Sequence, residues 1–149
     1  MFRSYFILLT ILILPFLIFA DSETDFDVAK CYDVAQSNED LKKCSSQDYH
    51  FADKKLVQLF LSISEHIKSR MNAAATDASD PAAETLSRLE NAEKAWITYR
   101  EAQCQYEGTV MLGAESETIV VSGCLSRLTK ERVKMMEESL ASYQNIQTD

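Results

Sequence analysis

The residues best able to do chemistry crowd into NAEKAWITYREAQCQYEG, residues 91–108, where Trp96, Tyr99, Arg100 and Cys104 fall within two helical turns or so. On a helix Trp96 lies near Tyr99 and Arg100, and Arg100 stands one turn before Cys104. Such a set could form a catalytic corner, a partner-binding patch or the stapled core of a small domain. Catalysis lacks a base. His50 and His66 stand outside any triad or metal-ligand run, and Glu65 beside His66 does not make the HExxH pattern of a zinc protease. Glutamate and aspartate are plentiful, but glycosidase chemistry needs two carboxylates at a defined separation, which nothing here marks. No catalytic residue, cofactor or metal is expected, and the chain does not read as an enzyme. Trp96 instead supplies apolar surface, while Arg100 packs its stem at the edge of that face and pairs its guanidinium with an acid. Asp53, inward near Leu56, is the expected partner.

The remaining cysteines say how such a cluster is held. Cys31, Cys44, Cys104 and Cys124 are the chain's four cysteines. An even count behind an export signal reads as two disulfides, with three pairings open; spacings of 13 and 20 residues favour the local pairs Cys31–Cys44 and Cys104–Cys124. A zinc site is the alternative, but zinc cysteines come as close pairs two to four residues apart. The export signal is MFRSYFILLTILILPFLIFA: one basic residue, an apolar run and a small residue at Ala20, followed by DSETDFD. Residues 1–20 are therefore expected to be a signal peptide, a retained membrane anchor being the other reading. No cysteine follows the apolar run, so no lipid anchor is predicted. The mature segment 21–149 would carry 14 basic and 23 acidic residues, a net charge of −9, since Arg3 leaves with the signal. That balance argues against nucleic acid as partner and suits either a basic protein partner or mere solubility, between which net charge alone does not choose.

Helices must position these side chains. Ser37, with Asp40 three residues on, can cap a helix in which Leu41, Tyr49, Ala52, Leu56, Leu59, Ile63 and Ile67 recur at spacings of three, four or a sum of these, reaching roughly to Met71. Asp80 before Pro81 starts a second helix, whose main face is predicted to run through Leu86, Leu89, Ala92 or Glu93, Trp96, Tyr99 and Gln103, fading near Gly108. Residues 108–123 contain three glycines and read as a folded loop or a fragment of strand. A third long helix is expected after Gly123, with Leu125, Leu128, Arg132, Met135 or Met136, and Leu140 on successive turns. Residues 21–30 read as a polar, loosely ordered lead. The fold class is all-α: a small disulfide-stabilised bundle of long antiparallel helices in one mature domain.

CYDVAQSNEDLKKC, Ala52–Asp53, Leu56, AWITYREAQC and CLSRLTKER together resemble the LprI-like family of small exported proteins, named for a lysozyme inhibitor and formerly a domain of unknown function. The resemblance spans about residues 28–140. It carries over Cys31, Cys44, Asp53, Leu56, Trp96, Arg100, Cys104, Cys124, Leu125, Thr129 and Arg132, with Tyr99 inside the WxxYR-type motif and Glu101 at the acidic position after its arginine. It implies a helical, disulfide-bonded domain acting as an exported protein-binding module, with lysozyme inhibition by blockade of the active cleft as its specific form. The periplasm is the expected location, with secretion as the alternative. A basic lysozyme or another envelope protein is the expected partner, with contacts at Met111, Leu112, Glu115 and Glu117. The competing function is a non-catalytic envelope structural or assembly protein.

Overall fold

The computed structural model describes residues 27–71 and 80–145. The segment read as a signal peptide and most of the polar lead, residues 21–26, lie outside the described residues. Four α-helices follow one another: α1 (Val28–Val34), α2 (Asn38–Ser69), α3 (Pro81–Gly108) and α4 (Glu117–Asn145), with a 3-10 turn at Thr109–Met111. No strand occurs among the described residues.

The start of α2 is built by a reciprocal cap. The Asp40 N–H donates to Ser37 Oγ at 3.2 Å, and the Ser37 N–H donates to the Asp40 carboxylate at 3.0 Å. Two otherwise orphaned donors are satisfied, which is why the helix begins at this sequence and runs unbroken past Ser45–Ser46. Asp80 caps α3 with a one-way bond, accepting from the Ala82 N–H at 2.8 Å with Pro81 at the first helical position. The lead is more ordered at its end than its polarity predicts. Val28–Val34 forms one short helix, capped by Asp27 and tied to α2 by the Cys31–Cys44 disulfide.

Consecutive long helices are antiparallel, and the first and third run parallel: Asp48 and Lys55 on α2 meet Lys130 and Glu137 on α4 in the same order. One core cluster gathers Leu56, Ile63 and Ile67 of α2 with Val133 and Met136 of α4. Burying aliphatic side chains of this kind contributes about 1.5–3 kcal/mol apiece before entropy is charged. A second cluster holds Cys104, Cys124 and Leu128, flanked by Val121 and the half-buried Leu125. Trp96 packs against both clusters and joins them.

Two expectations change. The stretch ETIVV is neither loop nor strand but the first turns of α4, so that helix begins at Glu117 and carries Gly123 in its interior. A single helical glycine costs only about 1 kcal/mol, less than the docking of Val121 and Cys124 returns. Tyr99 does not lie on the inner face of α3; it is 55 % exposed, while Arg100 is 4 % exposed. The inward line runs through Glu93, Trp96, Arg100, Cys104 and Gly108, so the polar side chains expected at the margin occupy the centre.

Candidate functional site

Three layers of polar contact join the helices, and the middle one centres on Arg100. Its Nη1 donates to Asp53 Oδ1 at 2.8 Å and to Thr129 Oγ1 at 3.1 Å, and its Nη2 donates to Glu101 Oε1 at 2.8 Å. One guanidinium thus ties α2, α3 and α4 together. The ring centroids of Trp96 and Tyr49 lie 5.0 and 5.3 Å from its central carbon, close enough for cation–π attraction. Burial alone would lower the Arg100 pKa, but the hydrogen bonds to Asp53 and Glu101 hold it above the ordinary arginine value, so the group is a fixed cation. Burial raises the Tyr49 pKa; Asp53 and Glu101 push it further up while Arg100 opposes them, so this hydroxyl stays neutral at physiological pH.

The second layer is Arg132, whose Nε and Nη2 reach Glu93 Oε2 at 3.0 and 2.8 Å. Glu93 is 8 % exposed, and Arg132 also faces the Trp96 ring at 5.7 Å. In the third, the Ser126 hydroxyl donates to Asp48 Oδ2 at 2.6 Å and Lys130 Nζ meets Asp48 Oδ1 at 2.6 Å. Asp48 and Ser126 are parts of this framework that the sequence does not mark, while Glu93, expected on the inner face as the alternative to Ala92, has no partner marked in it. Their only signal is position on the core-facing side of a helical repeat, which polar residues do not advertise. The charged members of these layers pair with other protein groups across the helices, an arrangement that fixes helix register. Among the described residues no set of three His, Cys, Asp or Glu could hold a metal ion.

Beyond the layers, α3 and α4 meet at a closed tip. The Cys104–Cys124 disulfide, with Cα atoms 5.4 Å apart, pins its base. Beside it Gln103 and Arg127 both donate to Glu107, at 3.1 and 2.9 Å; the Gln103 bond first, and Arg127 with it, hold that carboxyl below the usual glutamate range. Gly108 is buried where the helices come closest: a Cβ there would stand 2.6 Å from Val121 Cγ2. Gly113, with φ of +78°, makes the turn, and its N–H donates to Glu117 Oε2 at 2.8 Å. Glu117 therefore closes the turn and is half-buried. Met111, Leu112 and Glu115 are exposed, and Tyr106, Val110 and Leu112 each show more than two-thirds of their surface to solvent. The structure thus gathers the four residues singled out here but divides them, three facing solvent and one closing the loop.

Fold and contacts define a small disulfide-pinned helical domain, centred on a buried arginine and ending in an apolar, acidic tip. Residues 31–136 match the family described as lysozyme inhibitor LprI, and the chain belongs to that family. An uncharacterized protein of Rhizobium meliloti (strain 1021) is 34 % identical over 119 residues, covering 74 % of this chain and 79 % of that protein. A crystal structure of a DUF1311 family protein from Pseudomonas putida KT2440 superposes with a TM-score of 0.55 at 20 % identity, over 68 % of this chain and 92 % of that one. This second likeness is one of fold.

Proposed function

We propose that the protein is an exported, non-catalytic binding module that inhibits lysozyme by seating the α3–α4 tip in the enzyme's polysaccharide cleft. Membership of a family described as lysozyme inhibitor LprI supports the choice of target. The observation that carries the choice of surface is the tip itself. Glu101 and Glu107 are paired with Arg100 and Arg127, Glu115 and Glu117 add acidic charge that no lysine or arginine of residues 108–123 offsets, and Val110, Met111 and Leu112 are exposed on the same segment beside Tyr106.

Each part has a physical task. Acidic side chains steer a basic enzyme toward the tip, an effect on association rate that salt screens within about 8–10 Å. Exposed Val110, Met111 and Leu112 supply apolar anchors that lose water only on contact. The disulfide, the Glu107–Arg127 pair and the Glu117 turn lock fix the tip beforehand, so little ordering entropy is lost on binding. In this reading residues 1–20 direct export and are removed, residues 21–149 form one domain, and the disulfides form in an oxidising compartment, the periplasm.

The test is to titrate purified lysozymes with the oxidised protein while following complex formation and glycan cleavage together. Saturable binding with stoichiometric loss of cleavage supports inhibition. Binding that leaves cleavage unchanged contradicts it and makes the protein an envelope-binding module of another kind. Glu115→Ala should slow association at low salt more than at moderate salt; an unchanged rate at both would remove steering from the mechanism.

A further inference from the structure

The side of the bundle between α2 and α3 is open, and a groove of about 470 Å³ runs along it. Leu56 is buried at its base, Phe60 is half-buried, and Val57 and Ile97 stand on opposite lips. Val57 is 51 % exposed, Leu61 one turn further along α2 is 53 % exposed, and Ile97 is 41 % exposed. These side chains form an apolar stripe that the described helices leave uncovered. The charges of the lining divide into engaged and free. Asp53 is held by Arg100 and Glu93 by Arg132, both at 2.8 Å. Glu90 and Lys94 are exposed four residues apart on α3, yet among the described residues neither meets a group of opposite charge. The same spacing does bring Glu84 and Arg88 together, at 2.7 Å, earlier on that helix.

We propose that the α2–α3 groove is the interface of a twofold-symmetric homodimer, in which Glu90 of each copy meets Lys94 of the other. Symmetry selects this occupant. A twofold interface is complementary to itself, each residue meeting on the partner the one that meets it in return. Two copies of α3 crossing the axis run antiparallel, and an axis midway between Glu90 and Lys94 closes both ion pairs at once. The same operation lays Val57, Leu61 and Ile97 against the partner's apolar stripe and removes them from water. A foreign partner of one charge sign would satisfy one of the two free groups and repel the other. The net charge of −8 opposes association, but the antiparallel crossing keeps the acidic tips apart. Gly108 lies about 24 Å along α3 from that axis, so the tips stand roughly 48 Å from one another, several screening lengths of about 8–10 Å. The groove shares no residue with the tip, so the dimer stands whether or not the tip engages lysozyme.

The experiment is sedimentation equilibrium of the oxidised protein recovered after export, at moderate salt. A reversible monomer–dimer equilibrium is expected, with a dissociation constant on the order of micromolar. Val57→Ser/Ile97→Ser should weaken it about tenfold or more. Glu90→Lys and Lys94→Glu, each tested alone, should weaken it about tenfold by setting like charges against each other. An equimolar mixture of these two single variants should recover the dimer, because both pairs of the mixed species are again of opposite sign. All four positions are exposed, so the variants keep their fold. Sedimentation as a monomer at every concentration overturns the proposal, as do a dimer that Val57→Ser/Ile97→Ser leaves unchanged and a mixture no more associated than its components. A monomer whose groove amides shift saturably with dodecylphosphocholine would give this face to a lipid and overturn it too.

Discussion

A guanidinium removed from water destabilises the fold unless its N–H groups find partners. Arg100 meets this condition through Asp53, Glu101 and Thr129, and it does so at the crossing of all three long helices. Removing one member of a fully buried ion pair costs about 3–5 kcal/mol; solvent reaches Asp53 and Glu101, which lowers the figure for Arg100→Ala to about 2–3 kcal/mol. Denaturant midpoints measure it, and a cycle with Asp53→Ala should show coupling of about 1 kcal/mol or more. Asp40 gives a prediction of the opposite exposure. The Ser37 hydroxyl first, then the Gln36 and Ser37 amides, hold its carboxyl below the ordinary aspartate value. Its contribution is therefore complete above that ordinary value and is lost as pH falls through the lower, folded one. Melting temperature against pH should show the advantage over Asp40→Ala at neutral pH shrinking in that acid window. The pairing of Asp53 with Arg100 was legible because each stood beside apolar positions of its own helical repeat, Asp53 near Leu56 on α2 and Arg100 near Trp96 on α3. Glu93 with Arg132 and Asp48 with Ser126 were not, because an inward polar residue has the same spacing as an outward one until its partner is known.

Among the elements, the α3–α4 junction shows where sequence signals mislead. Three glycines in 16 residues suggest a loop, yet each has its own role: Gly108 allows close helix approach, Gly113 turns the chain, and Gly123 lies exposed within a helix. The capping signals at Ser37 and Asp80, by contrast, placed two helix starts correctly because a cap is a local interaction. The α4 start has Ser116 and Glu117, residue types of a cap and a first turn, but the glycines on either side, Gly113 and Gly123, hide that mark. Substitutions separate the glycines. Gly108→Ala pushes a methyl into Val121 and should cost about 1–3 kcal/mol, part of it returned by Val121→Ala in the same chain. Gly123→Ala meets open space and should stabilise by about 0.5–1 kcal/mol. Thermal melts of the three variants check both signs, and a destabilised Gly123→Ala would contradict the helical assignment there.

At the scale of the whole molecule, two disulfides and three polar layers hold a bundle that separates its charges. The tip is apolar and acidic, the α2–α4 groove is rich in lysine, and a net charge of −8 averages over this contrast. The all-α class was legible from periodicity because long amphipathic repeats specify helices directly. The separation of charge was not, since it arises from which helix faces end up adjacent. The most direct measurement compares the oxidised protein with its Met111→Ser/Leu112→Ser variant as inhibitors of glycan cleavage by purified lysozymes. Stoichiometric inhibition by the unaltered protein, weakened about tenfold or more in the variant, is the result predicted for a tip seated in the cleft. Cleavage left intact by saturating unaltered protein, or inhibited equally by both, would contradict that account.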